Sequence, residues 1–171
     1  LAESYLMFYI NKNLVNGACL RLSNVYGPGP KSSNDDRGIL NLMVRKALQK
    51  EKLTIYGTGD FIRDYIFIDD VVNAFLACPC HVKRTNGNHY VVGSGKGYSV
   101  KEAINMVARV VERITSSKVN VISVEPPDGL LDIEYRHFVA DNSNLKLDTG
   151  WFVSTDLEEG IVKTVNKFRT N

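Results

Sequence analysis

The sequence predicts an α/β fold. Short β-rich runs alternate with amphipathic segments along all 171 residues. The amphipathic segments carry apolar side chains at three- and four-residue spacing, and turns rich in Gly, Pro, Asn and Asp separate the two kinds of segment. No repeat, low-complexity tract or linker breaks the alternation, so the chain reads as one domain or one large piece of a bigger assembly.

Ala2, Tyr5, Leu6 and Tyr9 fall at helical spacing, and Asn16-Gly17 supplies a stop because both residues tolerate a positive φ. Ala18 to Leu22 then reads as a short buried strand. Asn24 to Gly38 reads as a long loop, of the kind that is uncommon unless it works at a site. Ile39, Leu42, Met43 and Ala47 form the apolar face of a second helix. Leu53 to Tyr56 is a brief strand closed by Gly57-Thr58-Gly59-Asp60, and Tyr65 to Ile68 is another. Asp69 reads as an N-cap for a helix through Val71, Val72, Ala74, Phe75 and Leu76. His89 to Val92 is a strand closed by Gly93-Ser94-Gly95. Ser99 and Glu102 have capping-box spacing ahead of a helix with Ala103, Ile104, Val107, Ala108 and Val111 on one face. Val119 to Val124 is a strand, and Pro126-Pro127-Asp128-Gly129 opens an irregular segment. Thr155 and Glu158 repeat the capping-box pattern before a last helix carrying Leu157, Ile161, Val165 and Phe168.

Composition removes several classes of function. Hydrophobic residues make up 44% and charged residues 23%, which excludes a disordered or collagen-like chain. A net charge of +2 with no dense basic run argues against a nucleic-acid platform. No apolar run is long enough to span a bilayer, and the N-terminus has neither a basic leader nor a small-residue cleavage site, so no membrane or secretory role is expected and the cytoplasm is the expected location. Three cysteines, Cys19, Cys78 and Cys80, make an odd count without framework spacing and suggest free thiols in a reducing compartment. Cys78-Pro79-Cys80-His81 invites a metal reading, but zinc needs a second ligand pair that is missing. The plainer reading is a helix end running into a proline loop, and no metal is expected.

Four blocks carry more specific information. They are Arg21-Leu22-Ser23-Asn24-Val25-Tyr26-Gly27-Pro28; Ile55 to Asp60 followed by Arg63-Asp64-Tyr65-Ile66-Phe67-Ile68-Asp69-Asp70-Val71; Tyr90 to Gly95 with Ser99-Val100; and Asp141-Asn142-Ser143 leading to Thr149-Gly150-Trp151. In that order and spacing they resemble the extended short-chain dehydrogenase/reductase family, and within it the nucleotide-sugar epimerases and dehydratases. The resemblance covers essentially the whole chain. It implies the C-terminal part of a Rossmann-like fold joined to the substrate-binding subdomain over residues 1–171. The family's glycine-rich dinucleotide loop and its Tyr-x-x-x-Lys catalytic pair belong to an N-terminal half, so no catalytic residue is expected here. NAD or NADP would be held mostly through that other half.

The resemblance also implies a site for a nucleoside-diphosphate sugar. Arg63 matches the arginine that holds the diphosphate, which suits a guanidinium because its paired N–H groups match phosphate oxygens. The alternative is a surface arginine paired with Asp60 or Asp64. Asn24 matches an asparagine whose amide donates to phosphate; an Asx-turn closing the strand is the alternative. Asn41 and Leu42 fall where the family's base- and phosphate-contacting helix starts, or are plain helix surface and core. Tyr56 matches the residue lying against the base, with Thr54 on the same strand face able to meet the base edge; Tyr56 reads equally as a core aromatic. Tyr65 belongs to the same pocket or to the core. Asp69-Asp70 reads as structural rather than as an acid/base pair. One departure stands out: a second phosphate arginine is missing from the turn after the strand ending at Glu125. Arg136 is its candidate substitute, or pairs with Glu134 or Asp141.

The implied chemistry is that of a 4-epimerase, with hydride leaving and returning at the sugar C4. A 4,6-dehydratase is the alternative, since Gly59 to Asp64 is close to that subgroup's version; a truncated binding module without catalysis is another. The first helix spreads Tyr5, Leu6, Phe8, Tyr9 and Ile10 around more than one face, as a helix buried on two sides would, and the resemblance implies that this helix lies at a homodimer interface.

Overall fold

The computed structural model describes residues 1–29, 38–126, 129 and 135–170. In chain order its elements are α1 (Ala2–Asn11), β1 (Cys19–Leu22), β2 (Asn24–Tyr26), α2 (Ile39–Leu48), β3 (Leu53–Tyr56), β4 (Ile62–Phe67), α3 (Ile68–Cys80), α4 (Val82–Thr85), β5 (His89–Val92), β6 (Gly97–Ser99), α5 (Val100–Thr115), β7 (Val121–Val124), α6 (Ser143–Thr149) and α7 (Leu157–Arg169). The α/β expectation holds. Pairing is parallel between β1 and β5, β2 and β4, and β3 and β7, while β6 runs antiparallel to β4.

β4 joins two cores because successive strand side chains point to opposite faces. Tyr65 and Phe67 enter the larger core, built from α2, α5 and α7 over β3, while Ile66 enters a second core with Val71, Ala74, Tyr90, Leu145 and Trp151. α5 is the strongest local element. Ala103, Ile104, Val107, Ala108 and Val111 are buried on one face, and the Ser99–Glu102 capping box forms in both directions.

Several local expectations shift. α1 ends at Asn11, with the left-handed turn at Asn13 rather than at Asn16-Gly17; the Gly17 amide instead donates to Asn86. Tyr5, Phe8 and Tyr9 of α1 are exposed in this chain. The expected loop from Asn24 contains β2, and its residues 30–37 lie outside the described residues. Asp69 does not cap α3. The chain is already extended at Phe67 and helical from Ile68, and no side chain caps the helix. The last helix is capped one residue later than expected, because the Asp156 carboxylate accepts from the Glu159 amide. α3 also continues through Pro79 to Cys80, so the proline occupies its final turn instead of opening a loop. Cys19 and Cys78 are buried and Cys80 is exposed, all as free thiols.

No helix among the described residues is long and apolar enough to cross a membrane.

Candidate functional site

β2, α2, β3 and β4 open onto one cavity of about 990 Å³. Asn24, Asn41, Leu42, Thr54, Tyr56, Arg63 and Tyr65 all line it. Strand alternation explains much of the gathering. Leu53 and Ile55 of β3 enter the core, which turns Thr54 and Tyr56 the other way, and Tyr56 is half-exposed. The β2–β4 register sets Asn24 opposite Tyr65. α2 brings Asn41 and Leu42 over the end of β2.

Each polar group already has part of its bonding assigned. Asn24 donates through Nδ2 to the Asp64 carbonyl at 3.0 Å, which leaves its second amide N–H and its oxygen. Asn41 clips the Gly27 peptide from both sides: Oδ1 accepts from the Gly27 amide at 3.0 Å and Nδ2 donates to the Gly27 carbonyl at 2.9 Å. Its first role in this structure is therefore to tie α2 to the end of β2. Arg63 pairs with neither Asp60 nor Asp64 among the described ion pairs. Its Nη1 donates to the Ile62 carbonyl at 3.2 Å and to the Arg136 carbonyl. These carbonyl acceptors orient the guanidinium.

Arg136 lies differently from its sequence reading. Its side chain is exposed and is not among the described lining residues. The reason is the docking of residues 136–138 along β4: Phe138 N–H donates to the Ile62 carbonyl at 3.1 Å and Ile62 N–H to His137 Nδ1 at 3.2 Å. That arrangement turns the Arg136 carbonyl, not its guanidinium, toward Arg63. Its alternative partner Glu134 lies outside the described residues.

Tyr65 is 3% exposed, and among the described residues its hydroxyl has no hydrogen-bond partner. Burial pushes the phenol up to about 12, against the opposing pull of the Arg63 charge. A buried hydroxyl of this kind is costly unless a partner occupies the cavity it lines.

Beneath the cavity sits a buried carboxylate that the sequence reading treated only as a possible Arg63 partner. Asp64 Oδ1 accepts from the Ser94 amide at 2.7 Å, the Ser94 hydroxyl at 2.8 Å and the Ser23 hydroxyl at 3.4 Å. Oδ2 accepts from the amides of Gly95 at 2.9 Å and Ala140 at 3.1 Å. Asp64 thereby fastens the turn after β5, the residue before Asn24 and the 136–140 segment to the strand that carries Arg63 and Tyr65. Gly93 fits this crowding, since a Cβ there would stand 2.8 Å from Asp64 Oδ2 and 3.0 Å from Ser23 Oγ. Asp70 works the same way farther along. Its carboxylate accepts from Ser154 N–H, Ser154 O–H and Thr155 N–H, and its carbonyl accepts from the Trp151 indole at 3.0 Å.

The sequence reading missed Lys46, Phe61 and Tyr135, which also line the cavity. Lys46 was within reach, being one helical turn beyond Leu42. Phe61 and Tyr135 meet edge to face at 5.0 Å between ring centroids, a contact made by tertiary folding with no local sequence signal. Among the described lining residues the cations are Arg63 and Lys46, and none is a carboxylate.

Comparison with known proteins places this site in context. A model described as the NAD dependent epimerase/dehydratase family matches residues 1–93. CDP-abequose synthase of Salmonella typhimurium is 30% identical over 161 residues, which cover 94% of this chain and 51% of that protein. UDP-glucose 4-epimerase of Mycolicibacterium smegmatis is 30% identical over 167 residues, covering 98% and 50%. The crystal structure of a UDP-glucose 4-epimerase with UDP-glucose from Thermotoga maritima superposes with a TM-score of 0.80 at 27% identity, covering 98% of this chain and 50% of that one. The chain spans about half the length of these relatives.

Proposed function

Because the chain belongs to the NAD dependent epimerase/dehydratase family, we propose that it is the substrate-binding, C-terminal half of an NAD(P)-dependent nucleotide-sugar 4-epimerase. The observation that carries this reading is the cavity itself: large enough for a sugar nucleotide, lined by Arg63 and Lys46, and free of carboxylates among its described residues. Such a site favours a ligand that carries negative charge. Arg63 grips the diphosphate with charge-assisted N–H bonds, and the uncommitted part of the Asn24 carboxamide adds a neutral one. Thr54 and Tyr56 face the base, Leu42 packs beside it, and Tyr65 offers its hydroxyl to the ligand. The relatives support the substrate class. The Thermotoga maritima structure holds UDP-glucose, and the Salmonella typhimurium relative is a CDP-abequose synthase.

The described residues do not fit a dinucleotide. Two glycine turns that follow strands, Gly57 to Asp60 and Gly93 to Lys96, lead into another strand rather than a helix N-terminus. The Ser94 and Gly95 amides are also already committed to Asp64. Neither turn opens a helix, so neither offers the dipole that favours a pyrophosphate. In addition, none of the eight tyrosines is followed four residues later by lysine. No redox step is therefore routed through this chain, whose part is to bind and orient the sugar nucleotide.

Calorimetry with UDP-glucose on the intact protein tests the reading. A charge-assisted bond contributes roughly 1.5–3 kcal/mol, so Arg63→Ala is expected to weaken binding about ten- to a hundredfold. Unchanged affinity would remove Arg63 from the site, and a wild type that binds no nucleoside diphosphate would overturn the reading. A 4,6-dehydratase, the reading favoured by the Gly59 to Asp64 run, would release a 4-keto-6-deoxy sugar in place of a C4 epimer. The exposed aromatic face of α1 supports a homodimer. Phe8→Glu with Tyr5→Glu is expected to shift the protein to monomer in light scattering, and a wild type that is already monomeric at micromolar concentration would defeat that part.

A further inference from the structure

We infer that Lys46 reads the exocyclic group of the base and biases the site toward nucleotides that present a carbonyl there, as uracil and thymine do, over cytosine. The inference rests on the nucleotide reading of the cavity given above. Lys46 lies one helical turn after Leu42 and lines the same cavity. Its neighbour Arg45 shows what a cation in the last turn of α2 does when it faces away: it stacks over the Phe168 ring at 4.0 Å from the centroid. Lys46 instead turns inward, and no ion pair joins it to a described residue.

Connectivity fixes which end of the cavity it serves. After Lys46 the chain reverses, with the Lys46 carbonyl accepting from the Glu51 amide at 2.9 Å, and it enters β3 at Leu53. Lys46 therefore shares its end of the cavity with Thr54, on the strand face that also carries Tyr56. Arg63 stands on a different strand, beside Phe61 and the Arg136 carbonyl. The two cations are thus offered to different parts of one ligand.

The chemistry at the Thr54 end is asymmetric. An ammonium has three donors and no acceptor. Uracil and thymine present a carbonyl oxygen at position 4, whereas cytosine presents an amino donor there. A lysine at that edge bonds the first two and faces an unmatched donor in the third.

Binding of UDP and of CDP to the intact protein, measured by calorimetry for wild type, Lys46→Met and Lys46→Arg, tests this. Wild type should prefer UDP. Lys46→Met should lose about tenfold or more in UDP affinity, as expected for a charge-assisted bond, with CDP changed less than about twofold. Lys46→Arg should keep the preference, and melting temperatures should be unaltered in both variants. Equal losses for UDP and CDP would assign Lys46 to the diphosphate and overturn the inference, as would no loss for either. A wild type that binds neither ligand would fail the cavity reading itself, a result distinguishable from the other two.

Discussion

Asp64→Asn is the sharpest probe of how the site is held together, because it exchanges one oxygen for an NH2 group at almost no change in volume. The native carboxylate is fully buried and receives five donors on its two oxygens. An asparagine can keep one oxygen and must turn an NH2 toward the rest. If the NH2 takes the Oδ2 side, two backbone amides, Gly95 and Ala140, face a donor. If it takes the Oδ1 side, the Ser23 and Ser94 hydroxyls can rotate to accept, and only the Ser94 amide is stranded. The second orientation is therefore favoured. One stranded buried amide costs about 1–3 kcal/mol, and the bonds that remain lose their charge assistance. A net loss of roughly 2–4 kcal/mol follows, which for a chain of this size lowers the midpoint of thermal unfolding by about 4–16 °C. Circular dichroism melting should show this against Asp69→Asn, whose carboxylate is exposed and whose change should stay within about 0.5 kcal/mol. Equal melting of the two variants would mean that the carboxylate is not the hub these distances describe.

The other expectations concern separate parts of the fold. Gly160→Ala should unfold at markedly lower temperature, because a Cβ there would collide with the Tyr26 ring and hydroxyl and stand 2.9 Å from Phe67, and overpacking of a fixed core costs about 1–3 kcal/mol; an unchanged melt would show that the helix can move aside. Glu102 is held below its usual carboxylate range by bonds from the Ser99 amide and hydroxyl. Its contribution is complete above the unfolded carboxylate pKa and is lost as pH falls through the lowered folded value, so Glu102→Gln should flatten the acid side of the stability curve, and a curve of unaltered slope would count against the capping box. Tyr90, buried and bonded to Asp148, has its phenol pushed up to about 12, as does Tyr65. Stability from these neutral phenols is complete below their ordinary value of 10.0 and is lost as pH rises toward about 12, so Tyr90→Phe should blunt the alkaline destabilisation seen in urea titrations.

What could be read from the sequence was what the chain decides locally. Ser99 and Glu102 cap α5 because both partners lie within one turn. β5 was bounded correctly because apolar residues meet a glycine turn there. The reading stopped short where a distant group is involved. Asp70 does sit in the first turn of α3 and is structural as read, but the groups its carboxylate holds, Ser154 and Thr155, lie more than eighty residues away, where no local pattern shows them. β6 is three residues long and exists through its pairing with β4, so no run of its own could announce it. The candidate site divides the same way. Thr54 and Tyr56, or Arg63 and Tyr65, share a face by strand alternation and could be grouped from spacing alone. That the Arg136 carbonyl, rather than its guanidinium, would reach Arg63 depends on docking across the cavity mouth, which the local sequence does not encode.

The edge of β1 carries the last step. One edge of that strand is paired, with β5, in register from Cys19–His89 to Leu22–Val92. Among the described residues its other edge is unpaired, Leu22 is exposed, and Tyr5, Phe8 and Tyr9 of α1 are exposed as well. A bare strand edge and a cluster of exposed aromatics are both costly to leave in water, and proteins usually cover them. A partner that added a parallel strand beside β1 would satisfy the edge, while a second copy meeting α1 would cover the aromatics. The two would be separable in one experiment. Hydrogen exchange on the intact protein should protect the outward amides of β1 in wild type and in the Tyr5→Glu, Phe8→Glu variant alike, whereas exchange in α1 should quicken in the variant alone. Fast exchange along β1 in the wild type would show that nothing covers the strand, and that the fold ends at this edge.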